Sequence, residues 1–205
     1  MPILIACVEV GGLAQATHSG QSSSRMQVRT LRAEDVALVA AIDRSEHVEV
    51  QYRLTDGKLQ QFPAEITDVP AWDPTGSGPH TVAAVTAFCS SVVARGGILL
   101  GVFDGECTVG LAIVHPAFEP RLAWLAFLHV SRSYRGQGAA QVLWNAAVDI
   151  AAGADAESIY VSATPTASAV GFYLKQNCQL AHPVHPDLFA AEPDDIHFVC
   201  SVLVL

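Results

Sequence analysis

LAWLAFLHV (residues 122–130) runs without a break into SRSYRGQGAA (residues 131–140), and the fold turns on how that passage is read. The first part is apolar and rich in strand-forming residues, and Gln137–Ala152 beyond it reads as a helix. A strand that passes straight into a helix leaves the first-turn N–H groups unpaired, at the positive end of the helix dipole. Small residues matter at such a junction, because a Cβ on Gly136 or Gly138 would keep a diphosphate away from the backbone. Arg132 and Arg135 put positive charge at the same place. Glycine-rich turns of this kind also arise for structure alone, so the local chemistry leaves a phosphate site and a plain turn both open. Two other anion motifs are excluded. No G-K-[ST] is present, and the third glycine position of a dinucleotide fingerprint holds Gln141.

Working outward, Ile98–Asp104 and Cys107–His115 are apolar strand runs separated by a tight Gly105-Glu106 turn, and Pro116–Arg121 turns the chain into Leu122–Val130. Downstream, Ser158–Ala163 reads as a strand, Ala167–Gln176 as a helix, and Cys178–Pro183 and Ile196–Leu203 as closing strands. Upstream, a strand at Gln27–Leu31 leads into a helix at Ala33–Asp43 with an acidic first turn. Val48–Leu54 and Lys58–Phe62 flank Thr55-Asp56-Gly57, a hairpin signal. The proline- and glycine-bearing stretch from Pro63 to Pro79 predicts a loop, and His80–Arg95 a helix ended by Gly96-Gly97. Residues 1–25 end in a Gly-, Ser- and Gln-rich run and form a flexible lead-in, followed by one domain over 26–205. The predicted class is α/β, a mixed central sheet flanked by helices.

The 205 residues suit one domain with a sizeable core, and the low share of charged residues, 15%, argues against disorder. A net charge of −9 argues against broad nucleic-acid or anionic-membrane binding but tolerates a cationic amine. The cysteines Cys7, Cys89, Cys107, Cys178 and Cys200 are scattered, contain no C-x-x-C pair and read as buried thiols. No apolar run approaches a membrane span. The N-terminal Leu4-Ile5-Ala6-Cys7 lacks a basic segment before it, so the expected location is cytoplasmic. His182, His185 and His197 lack supporting ligand spacing, and no metal is expected.

Arg135-Gly136-Gln137-Gly138-Ala139-Ala140, preceded by Leu128-His129-Val130 and Tyr134, resembles the [QR]-x-x-G-x-[GA] signature of the GNAT N-acyltransferase superfamily. Thr166-x-x-Ala169-x-x-x-Tyr173 is similar to that family's N-x-x-A-x-x-x-Y helix, with threonine for asparagine, and Asn177-Cys178 stands where a Gly-Phe turn usually follows. The resemblance covers residues 98–203 well and extends less closely over 27–97. It implies a sheet of about six or seven strands whose fourth and fifth members splay apart around the pantetheine arm of acetyl-CoA. Leu128 and Val130 would then offer backbone groups to pantetheine. The Arg135, Gly136, Gln137, Gly138, Ala139 and Ala140 amides would hold the pyrophosphate, and Thr166 would replace the usual asparagine contact.

The implied reaction is direct attack of a neutral amine on the thioester, with acetyl-CoA as co-substrate and a small amine as acceptor. It needs a proton acceptor, an oxyanion donor and an acid for the thiolate. Tyr173 fits the acid by position, or else packs as a helix tyrosine beside Phe172. For the base, Trp124-Leu125-Ala126-Phe127 offers no titratable group, and His129 is the nearest, with strand alternation leaving its direction open. Asp43, Glu46 and Glu49 either shape the acceptor site or form a solvated face. A catalytically idle acyl-CoA-binding domain is the alternative. A homodimer is compatible with these residues, as is a single chain.

Overall fold

The computed structural model describes residues 26–202, so the lead-in expected over 1–25 and Leu203, the expected end of the closing strand, lie outside it. Eleven strands and four α-helices follow in chain order: β1 (Gln27–Thr30), β2 (Glu46–His47), β3 (Val50–Thr55), β4 (Lys58–Pro63), β5 (Asp68–Val69), α1 (Val82–Ala94), β6 (Ile98–Asp104), β7 (Cys107–Glu119), β8 (Leu122–Val130), α2 (Ala139–Gly153), β9 (Ser158–Ala163), α3 (Ala167–Lys175), β10 (Gln179–Leu180), α4 (Pro186–Ala191) and β11 (Ile196–Ser201). Seven of the strands form the central sheet in the order β1-β6-β7-β8-β9-β11-β10. Every pairing is antiparallel except β8 with β9. No helix among the described residues is long and apolar enough to cross a membrane.

The sheet buries both faces. Ala112, Val114, Ala123 and Leu125 pack under α2 and α3 with Leu143, Trp144, Ala147 and Val170. Leu111, Ile113, Trp124 and Phe127 pack on the other side against α1 and the short helix before it. α2 earns its place by spacing: its buried residues Ala139, Leu143, Ala147 and Ala151 recur every four positions, one stripe of a 3.6-residue helix. α1 starts where Thr81 accepts the Ala84 N–H at 3.1 Å, a side-chain N-cap.

Several expectations shift. The helix expected over Ala33–Asp43 is a 3-10 helix over Ala33–Ala41. Its buried residues Val36, Val39 and Ile42 are three apart, and in a 3-10 helix such residues stack in one line, so this core contact suits three residues per turn. β7 continues to Glu119, beyond the expected end at His115, because Glu119 still pairs with Leu122 and the turn shrinks to Pro120-Arg121. The proline-bearing loop carries β5, which pairs with β2. Of the strand expected over Cys178–Pro183 only Gln179–Leu180 pairs, and the stretch after it forms α4.

The cysteine expectation is corrected. Cys178 and Cys200 form a disulfide, since the register Gln179↔Val199 sets them opposite each other with Cα atoms 4.2 Å apart. Cys89 fits the expectation: it is a buried free thiol whose pKa burial pushes up to about 12.

Candidate active site

β8 and β9 pair only from Leu122↔Ser158 to Leu125↔Val161. Beyond Leu125, β8 stays bonded to β7 through Val130, while β9 stays bonded to β11 through Ala163. The two strands therefore part, and β8 has an open edge from Ala126 to Val130. Where they part, β8 carries a bulge: Ile113 faces Phe127 and Val114 faces Leu125, which leaves Ala126 as the extra residue. A bulged residue loses its ladder partner and re-aims its backbone. Ser131 N–H donates to Val109 O at 2.9 Å, so by alternation Leu128 and Val130 turn their backbone groups away from β7, toward the open edge.

The bulge also settles where His129 points. Before it, odd residues (Ala123, Leu125) face α2; after it, Phe127 faces the α1 side. His129 follows Phe127 and stacks on it, ring centres 4.7 Å apart, with Trp72 at 5.4 Å. Desolvation, with the nearby Arg44 and Arg135 charges, lowers its pKa to about 4. The imidazole is therefore neutral throughout the physiological range.

Past Val130 the chain makes a short 3-10 turn at Arg132–Tyr134 and enters α2. Gly136 and Gly138 adopt positive φ, 74° and 91°, with Gly138 as the N-cap of α2. A Cβ at either would meet nothing within 4 Å, so open space lies in front of both. The first intrahelical bond is Val142 N–H to Gly138 O at 3.1 Å, which leaves the preceding amides of Ala139, Ala140 and Gln141 without helix partners. This is a cradle that fits a diphosphate. The Gln137 side chain donates to Ser133 O at 2.7 Å and braces the loop from within.

Arg135 departs from the sequence reading in one respect. Its guanidinium does not face the cradle: Nε donates to Val130 O (3.1 Å), Nη1 to Ser45 O (3.2 Å) and Nη2 to Arg44 O (3.0 Å), with Glu46 Oε2 3.4 Å from Nη1. Its backbone remains part of the loop, whereas its charge is turned to the segment before β2.

Thr166 caps α3, accepting the Ala169 N–H at 3.3 Å, and stands 3.0 Å from Ser168 Oγ. Tyr173, in the last turn of α3, is buried among Trp144, Phe172 and Phe198. Burial, then the negative charge of Asp195, raises its pKa, so its phenol keeps its proton. Asn177 holds φ +59° and ends the helix in the left-handed conformation, where the family usually has glycine.

Sequence reasoning passed over several groups. Arg44 lies over the Trp72 ring at 4.5 Å, with its Nε and Nη1 buried and unbonded. Asp195 is partly buried, and burial with Glu192 and Asp194 nearby raises its pKa to about 7. No local pattern marks the placement of Arg44 over Trp72 or the burial of Asp195, because both depend on segments distant in sequence. Glu46, His47, Val48, Glu49, Val50 and Ala167 line a pocket of about 230 Å³ where β2 and β3 meet the start of α3. Among the described residues no three His, Cys, Asp or Glu side chains gather as metal ligands would.

The model of the acetyltransferase (GNAT) family matches residues 65–177, more than half of the chain. The chain belongs to the GNAT acetyltransferase family. No curated protein sequence matched it. Solved GNAT structures superpose on this GNAT chain with low sequence identity. A nourseothricin acetyltransferase aligns at TM-score 0.65 and 16% identity over 87% of this chain and 99% of its own. PaiA N-acetyltransferase from Thermoplasma acidophilum, solved with coenzyme A, aligns at 0.56 and 11% over 86% and 99%. The ribosomal-protein-S18-alanine N-acetyltransferase of Escherichia coli aligns at 0.56 and 12% over 88% and 96%. At these identities the likeness is one of fold.

Proposed function

We propose that this GNAT chain is an N-acetyltransferase that moves the acetyl group of acetyl-CoA onto a small primary amine. The observation that carries the reading is the joining of the β8–β9 gap to the Gly136–Ala140 cradle, a slot for an extended thioester arm ending in a site for its diphosphate. Acetyl-CoA supplies the activated acyl carbon. Leu128 presents its backbone groups and Val130 its N–H along the arm, Val130 O being held by Arg135 Nε, and the Gly138–Gln141 amides take the phosphate charge. Thr166 keeps to capping α3 and borders the slot.

The amine nitrogen bonds to the thioester carbon, the C–S bond breaks, and its electron pair goes to sulfur. Tyr173 delivers its proton to that sulfur, a role its raised pKa suits, since the phenol stays protonated until a thiolate appears. The N–H of Ala126, the extra residue of the bulge, stands where the gap begins and is the group we assign to the developing oxyanion. His129 forms the wall. An imidazole with a pKa of about 4 accepts an ammonium proton only steeply uphill, so that proton leaves through water. The pocket beside Glu46 and Glu49 takes the amine, the Glu49 carboxylate matching an ammonium and Val48, Val50 and Ala167 its alkyl stem.

The test is a panel of amines with acetyl-CoA, following thiol release, alongside acetyl-CoA binding by thermal shift. Turnover of at least one amine is expected. Tight acetyl-CoA binding with no turnover of any amine favours an acyl-CoA-binding domain, a reading the scarcity of a strong base supports. Gly138→Asp, which sets a carboxylate before the cradle, should abolish the thermal shift, and Gly138→Ala should retain part of it.

A further inference from the structure

We propose that Arg135 is a positioning residue that ties the diphosphate loop to the acceptor side of the cleft through Glu46, an inference that rests on the acetyl transfer proposed above. Its main chain belongs to the loop before α2, yet its guanidinium bonds three backbone carbonyls and a carboxylate outside that loop. Two of the carbonyls, Arg44 and Ser45, and the carboxylate of Glu46 belong to one short segment. The same segment is stitched to the end of β8 twice more. Asp43 N–H donates to Ser131 Oγ at 3.2 Å, and Arg132 N–H donates to Asp43 O at 2.9 Å.

Glu46 is the far end of this connection and the near end of another. Its Oε1 accepts from Ser168 Oγ at 2.5 Å, and Ser168 in turn stands 3.0 Å from Thr166 Oγ1. Because the Ser168 proton points to Glu46, Thr166 donates to Ser168. The run Arg135–Glu46–Ser168–Thr166 therefore reaches from the loop after β8 to the first turn after β9, across the mouth of the gap. Glu46 and Ala167 both line the pocket of about 230 Å³. A guanidinium suits this work because its planar fork fixes several acceptors at once, which an ammonium cannot do. Filling the cradle with CoA holds Arg135 in place, and Arg135 then holds the acceptor pocket in shape.

Arg135→Met and Ser168→Ala test this from opposite ends. The expected result is a CoA Kd within about threefold of wild type in both, by calorimetry, with the amine KM raised about tenfold or more. The double variant should be little worse than either, because both cut one network. Ser168 is exposed and lies on α3, outside the loop before α2, so its substitution tests the network even if Arg135→Met folds poorly. A tenfold loss of CoA affinity in Arg135→Met with an unchanged amine KM would overturn the proposal, since the side chain would then serve the diphosphate. Additive effects in the double variant would overturn it too. If no amine is turned over, the failure belongs to the transfer reading, and amide exchange reads the connection instead. CoA should then slow exchange across residues 43–50 in wild type and not in Arg135→Met, and equal slowing in both refutes it.

Discussion

Tyr173 and Asp195 are coupled through one buried corner, and the charge of one raises the pKa of the other. Tyr173→Phe keeps the ring against Trp144 and Phe198 and deletes only the proton donor. CoA binding should survive while kcat at saturating acetyl-CoA falls by roughly 10²-fold, the scale for losing a positioned acid. An unchanged kcat makes Tyr173 a packing residue. Asp195 predicts a pH dependence of stability. Its folded pKa, about 7, lies above its ordinary 3.8. The stabilisation it contributes is therefore complete below pH 3.8 and lost as pH rises through 7. His129 acts oppositely: its pKa falls from 6.5 to about 4, so its contribution is present above 6.5 and lost as pH falls through 4. Asp195→Asn should thus be more stable than wild type at pH 8 and show only the acid-side loss. Urea unfolding at pH 5 and pH 8 reads both, and a variant no more stable than wild type at pH 8 removes Asp195 from the account.

At the scale of elements, the bulge in β8 and the N-cap of α2 do the positioning. Deleting Ala126 joins Leu125↔Val114 directly to Phe127↔Ile113, so every side chain of β8 keeps its face while the ladder straightens. The shortened protein should fold and still bind CoA, and kcat should drop by about 10²-fold if the bulge N–H meets the oxyanion. Full activity would remove the bulge from the chemistry. Much of this level was legible. Leu122–Val130 and Ser158–Ala163 have the ends expected of them, because β-rich apolar runs bounded by turn residues state their own limits. The bulge was not legible: an extra residue is defined only against a partner strand, and nothing in Trp124-Leu125-Ala126-Phe127 names Ile113 and Val114 as that partner. The direction of His129 was hidden for the same reason.

For the whole molecule, the Cys178–Cys200 link closes a 22-residue separation across the end of the sheet. Removing it should lower unfolding stability by about 3 kcal/mol, the chain-entropy value for a loop of that size. Comparing urea midpoints of wild type and the Cys178→Ala/Cys200→Ala double variant without reductant checks this, and equal midpoints mean the pair contributes nothing. What the sequence determined by itself was whatever neighbouring residues encode: the strand-to-helix passage at Val130–Ala140, the left-handed end at Asn177, the Asp56-Gly57 hairpin and the stripe of α2. What only the tertiary structure decided was whatever joins distant segments: Arg135 turning from the cradle to Arg44, Ser45 and Glu46, the burial of Asp195, and Cys178 meeting Cys200. Periodicity, caps and turns act over a few residues and leave local marks. Burial, charge partners and strand register depend on which surfaces meet, and that is set by the packing of the entire chain.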